Sequence, residues 1–145
     1  MSGTENNLWA IIYVSSAMKD LSLSQVSGFV EMKRKTRIEQ GVTGLVILAQ
    51  NNVLVVQEGL SAGVKGEFED DRKHPGHHTM IKLFDGPIKQ RFFEGFPLAF
   101  KPIGNKAFNH MDDFITPENK EYFEEILQME HLISKLMRDF IKNNS

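Results

Sequence analysis

Trp9-Ala-Ile-Ile-Tyr-Val-Ser-Ser-Ala17, followed by Gly41-Val-Thr-Gly44 and an Asn51-Asn52 turn, is the stretch on which the fold depends. Trp9 to Ser15 is rich in aliphatic residues and reads as a strand, in which successive side chains point to opposite faces. Tyr13 is thereby fixed toward one face. If helices cover that face, its phenol is buried and needs a hydrogen-bond partner. Val42 to Ala49 and Val53 to Gln57 flank Gln50-Asn51-Asn52 and read as a hairpin of two β-branched strands.

Outward from this hairpin the periodicity changes. Ser22 or Ser24 can cap a helix in which Val26, Phe29, Val30 and Met32 or Lys33 recur at spacings of three and four, and Gly41 gives it a left-handed stop. A second, short helix is expected between Gly59 and Asp71, weakened by Gly63 and Gly66 at roughly 1 kcal/mol each. His74-Pro-Gly-His-His78 reads as a turn, and Thr79 to Phe84 and Phe92 to Phe100 supply two more strands. Thr116-Pro117-Glu118 reads as a helix start. The apolar residues from Tyr122 to Ile141 then give one long amphipathic helix or two shorter ones that break near His131.

The order βαββαββ followed by helix predicts the α+β class: a ferredoxin-like core with one mixed sheet, two helices on one face and the C-terminal helical segment on the other. As a single helix that segment would run about 40 Å, more than a small sheet covers, so it is expected to fold back or to pair with a second chain. The organisation read from these signals is a flexible N-terminus over 1–7, a domain over 8–101 and a C-terminal helical extension over 102–145.

Composition excludes several classes of function. At 145 residues the chain is one domain by length. It lacks cysteine, so neither disulfides nor thiolate chemistry is available. Seventeen basic against 19 acidic residues give a net charge of -2 and no broad positive field, so no nucleic-acid partner is expected. No cationic, apolar leader opens the chain, and no apolar run approaches the ~18 residues of a span; the expectation is a cytoplasmic protein with no membrane partner. Asp70, Asp71, His74, His77 and His78 could offer metal ligands, but adjacent side chains point apart and no His-Glu-x-x-His element occurs, so a surface turn is expected there and no metal. With no cysteine, and no loop matching the small-phosphate hydrolases that share a ferredoxin-like core, a nucleophilic enzyme is not expected.

Five pieces carry a family resemblance: Ile-Tyr-Val-Ser-Ser-Ala at 12–17, Gly-Val-Thr-Gly-Leu at 41–45, Gln-Glu-Gly at 57–59, Asp-Asp-Arg-Lys-His at 70–74, and Gly-Pro-Ile-Lys-Gln-Arg-Phe-Phe-Glu-Gly-Phe-Pro-Leu at 86–98. In their order and spacing the chain resembles the BLUF domains, blue-light sensors that use FAD, over about residues 8 to 101. The resemblance implies an isoalloxazine ring between the two sequential helices. Light would drive electron and proton transfer from a strand-one tyrosine through a neighbouring glutamine.

Tyr13 matches that tyrosine. The glutamine position, counted back from Glu58-Gly59, is Val55, which has neither donor nor acceptor. Gln57 lies two residues on and shares its face. The asparagine that would read the flavin's imide edge is replaced by Arg37, preceded by Thr36, and arginine offers donors only. The segment from Glu58 to His74 is also shorter than the family's by close to one helical turn. Lys73 and His74 match a basic pair that contacts the flavin, with Arg37 or Arg34 able to add phosphate contacts. Phe96 and Leu98 stand for a late tryptophan and methionine.

The reading that follows is a BLUF-like sensor or signalling module, not an enzyme, impaired or lost in flavin binding and photocycle. It would act through a protein partner or through self-association of its C-terminal helices. The alternative is a functional FAD-binding photoreceptor with a rearranged site. Without flavin, Arg37, Phe29 and Phe68 are expected to fill the slot. Plainer readings stand beside these: Tyr13 as a core aromatic bonded to a backbone carbonyl, and Lys33-Arg34-Lys35 with Arg37 as a solvated helix end.

Overall fold

The computed structural model describes residues 7–17, 23–49, 52–73, 77–103 and 131–143. In chain order the elements are β1 (Leu8–Ala17), α1 (Leu23–Gln40), β2 (Thr43–Ala49), β3 (Asn52–Leu60), α2 (Ser61–Lys73), β4 (His77–Pro87), β5 (Ala99–Ile103) and α3 (Leu132–Asn143). The strands form one five-stranded sheet in the order β4-β1-β3-β2-β5. β5 runs parallel to β2, and the other neighbours are antiparallel. This is the mixed, ferredoxin-like sheet that the alternation of periods predicts.

Period-two alternation divides the interior into two layers. Ile11, Tyr13, Val46, Leu48, Val53 and Val55 face Val30 of α1 and Val64 and Phe68 of α2. Their sequence neighbours Ile12, Leu45, Ile47, Leu54 and Val56 pack instead with Ile133, Met137 and Phe140 of α3. α3 thus covers the second face. It starts where it does because the His131 imidazole Nδ1 accepts the Ile133 amide at 3.1 Å, satisfying one of the amides that a helix start leaves without an intrahelical partner.

α1 ends as the sequence indicates. Gly41 adopts φ 68°, the Val42 amide donates to the Arg37 carbonyl at 2.9 Å and the Gly41 amide to the Ile38 carbonyl at 3.2 Å. These two bonds make a Schellman stop. In α2, Gly63 meets the end of α1 so closely that a Cβ there would lie 2.3 Å from the Gln40 carbonyl oxygen, which explains a glycine inside a helix.

Three expectations need correction. Phe92 to Phe100 is not a strand: pairing begins only at Ala99. The Phe92 and Phe93 amides donate to the two carboxylate oxygens of Glu58 at 2.8 and 2.7 Å, which removes them from any ladder. β4 exceeds the expected Thr79–Phe84 at both ends, accommodating register shifts opposite Ile12/Tyr13 and Val14/Ser16. α2 extends through Lys73 rather than ending by Asp71. Ser22, Asn51, His74, the Thr116-Pro117-Glu118 start and the stretch from Tyr122 to Glu130 lie outside the described residues.

Candidate functional site

Two charges of each sign converge between α1, α2 and the sheet. On α1, Lys33 and Arg37 stand one turn apart, and on α2 Glu67 and Asp71 do the same, so each pair presents one face of its helix. All four are buried. The Lys33 ammonium lies 2.6 Å from Glu67 Oε2 and 2.6 Å from Asp71 Oδ1, tying one helix to the other. Asp71 Oδ2 in turn accepts the Tyr13 hydroxyl at 2.7 Å and the Gln57 amide at 2.5 Å. β1, β3, α1 and α2 therefore meet at one aspartate. Phe68 closes the side, its ring edge-on to Tyr13 at a centroid distance of 5.5 Å.

The arginines of α1 hold the approach to β5. Arg37 Nη1 donates to the Pro97 carbonyl and Arg34 Nη2 to the Leu98 carbonyl, both at 3.1 Å. Burial lowers the Arg37 guanidinium below its ordinary range, opposed chiefly by the Asp71 charge. Burial likewise raises the Tyr13 phenol well above 10.0, reinforced by the charge and hydrogen bond of Asp71. Two cations and two carboxylates balance formally, so loss of any one leaves an uncompensated buried charge. Arg37 Nε, Gln57 Oε1 and Glu67 Oε1 have no hydrogen-bond partner among the described residues.

A second polar node lies on the opposite face of the sheet. Glu58 accepts the Phe92 and Phe93 amides and the Thr43 hydroxyl, the last at 2.8 Å. Burial nevertheless raises its carboxyl. This node anchors the 92–98 turn and does not touch Asp71.

The residues singled out from sequence fall in several places. Tyr13 is wholly buried, and its hydroxyl donates to a carboxylate. Val55 is its direct cross-strand neighbour in the β1–β3 register and belongs to the apolar layer. Arg37 and Lys33 are interior groups rather than a solvated helix end, because α2 supplies the opposite charges. Thr36 is half-buried and its hydroxyl donates to the Lys33 carbonyl at 3.1 Å. Leu98 packs in the Tyr13 layer, whereas Phe96 packs against the α3 layer, so the two do not share one site. Lys73 is exposed at the end of α2, and His74 lies outside the described residues. Of the expected slot fillers, Arg37 and Phe68 are buried and Phe29 is half-buried.

Lys33, Glu67 and Asp71 were not legible as a site from sequence, although a signal existed. Opposite charges repeat at four-residue spacing on two helices that flank the same sheet face. Among the described residues no group of three or more His, Cys, Asp or Glu could hold a metal ion, and no helix is long and apolar enough to cross a membrane.

Comparison with known proteins gives concordant results. A family model described as "BLUF: Sensors of blue-light using FAD" matches residues 8–99. Solved structures of similar fold include Klebsiella pneumoniae BlrP1 in its manganese/cy-diGMP complex at pH 9.0, with TM-score 0.72, 19% identity, and coverage of 93% of this chain and 33% of that one. BlrB, a BLUF protein in its dark state, gives TM-score 0.65 and 16% identity over 83% of this chain and 94% of that one. BlsA in a photo-activated state gives TM-score 0.64 and 21% identity over 86% and 97%. The chain thus spans about a third of the length of BlrP1 and nearly all of BlrB and BlsA. No curated protein matches at a significant level.

Proposed function

We propose that this chain, which belongs to the BLUF family of blue-light sensors using FAD, is a signalling module whose helix-flanked slot is closed around its own charges and holds no flavin. One observation carries the reading: Lys33 joins α1 to α2 through two carboxylates at 2.6 Å, in the gap where the family resemblance puts the isoalloxazine. A planar ring between these helices would have to part both ion pairs, and the residues present do not fit it. Val55, opposite Tyr13, offers neither donor nor acceptor. The Tyr13 hydroxyl and the Gln57 amide are both directed at Asp71, and Arg37 donates to Pro97.

In this reading the module is not an enzyme, and it works in the cytoplasm through protein–protein contact. Its C-terminal end is the contact region, with a second copy or a partner protein as the occupant. α3 supports this: while Ile133, Met137 and Phe140 face the sheet, Leu132 is exposed and Leu136 only half-buried. BlrP1 shows a comparable fold as a third of a longer chain, so an effector could also be covalently attached.

Gln57 favours a second reading, a working FAD photoreceptor with a rearranged site. It shares the face of Val55, and its carbonyl oxygen has no hydrogen-bond partner among the described residues. Titration of purified protein with FAD and riboflavin, followed by flavin fluorescence anisotropy, separates the two. The closed module gives no saturable binding at micromolar protein, whereas stoichiometric binding establishes the rearranged photoreceptor.

A further inference from the structure

We propose that Glu67 and Asp71 form a binding seat for a primary ammonium group, and that Lys33 is an internal ligand occupying it. The inference rests on the closed-slot reading above and adds what keeps the slot shut. The seat is built rather than incidental. Both carboxylates are almost fully buried, at 0% and 3% side-chain exposure, and both stand 2.6 Å from the same nitrogen. Asp71 is fixed from behind, since Tyr13 and Gln57 donate to its other oxygen and leave Oδ1 for the cation. Tyr13 and Gln57 are therefore positioning residues for the seat.

The chemistry selects a compact ammonium. A guanidinium is planar and prefers a bidentate fork to one carboxylate, whereas a –NH₃⁺ group directs three donors to separate acceptors. Here two acceptors come from α2 residues one turn apart, and the cation comes from α1. A buried ammonium loses its hydration, and only close carboxylates with their own hydrogen bonds offset that loss. Without the cation, two carboxylates would face only Arg37, which already donates to the Pro97 carbonyl. Like charge would then repel within α2, between Glu67 and Asp71, and the two ion pairs that tie α1 to α2 would be lost.

Chemical rescue tests the seat. Lys33→Ala deletes a propylammonium equivalent, so n-propylammonium chloride should refill it. We expect K33A to melt below the wild type and n-propylammonium to raise its melting temperature saturably. Sodium chloride and tetramethylammonium chloride at matched ionic strength should not do so. In K33A/E67Q the rescue should weaken by on the order of tenfold, since one charged acceptor is gone. If K33A does not fold unaided, recovery of folded protein on refolding with each salt gives the same readout. Rescue by n-propylammonium alone supports the seat. Wild-type stability in K33A, or equal response to all three salts, overturns it. Flavin binding by the wild type would refute the closed-slot reading independently of the rescue, so the two failures are distinguishable.

Discussion

Tyr13 and Gln57 meet at one atom, Asp71 Oδ2, at 2.7 and 2.5 Å. The tyrosine and the only amide on the neighbouring stretch of β3 facing it thus have a carboxylate between them. With the Lys33 ammonium on its other oxygen, Asp71 holds four elements together.

Asp71→Asn should therefore be the most damaging single change in the slot. It leaves Lys33 and Arg37 against Glu67 alone and should cost about 3–5 kcal/mol, the range for breaking a buried pair. Tyr13→Phe removes one hydrogen bond to a charged acceptor and should cost about 1.5–3 kcal/mol. Urea denaturation of the two variants checks the order.

Alkaline pH should expose the Tyr13–Asp71 bond. The folded phenol titrates well above 10.0, so as pH rises past 10.0 the unfolded tyrosine loses its proton while the folded one keeps it. Unfolding then releases a proton, and stability falls as pH rises. Urea midpoints measured upward from pH 9 should fall more steeply in the wild type than in Tyr13→Phe.

Glu58 should act in the same direction at acid pH. Its folded carboxyl titrates above the ordinary 4.5, so its contribution is fully present below 4.5 and is lost as pH rises through the folded value. Glu58→Gln removes that dependence. The variant should also lose about 1–3 kcal/mol at neutral pH, because an amide cannot accept the Phe92 and Phe93 amides through both of its end atoms. A stability profile between pH 4 and 8 reads both effects.

Val55→Gln alone should produce no photocycle. The new amide would stand opposite Tyr13, but the Tyr13 hydroxyl is bonded to Asp71 and the Lys33 bridge still joins the helices. Light-minus-dark absorption of the variant after incubation with FAD should be flat.

Phe140→Ala should cost about 3–5 kcal/mol, because Phe140 is buried between α3 and the sheet. Leu136→Ala, at a half-buried position, should cost less in the monomer. If α3 also carries self-association, this variant should shift the molar mass measured by light scattering toward the monomer.

The layers of this fold are legible because alternation and helical spacing act locally. Tyr13 and Val55 can be placed on one face from period two, and the α1 stop follows from Gly41. The 92–98 segment is not legible: its aromatics suggest a strand, but its amides bind Glu58, a partner more than thirty residues away in sequence. The charge run at 33–37 misleads for the same reason. Taken alone it is a solvated helix end, and only the packing of α2 against α1 brings Glu67 and Asp71 to Lys33. Asp71 stands in a quoted motif, yet nothing local reveals that Tyr13 and Gln57 share its oxygen.

The most direct test of the closed slot is to refold the wild-type protein with excess FAD, remove free flavin by gel filtration, and record absorption before and during blue illumination. A slot held shut by Lys33, Glu67 and Asp71 gives protein without a flavin band and no light-induced change. A retained flavin whose band shifts reversibly to the red under blue light would contradict the account.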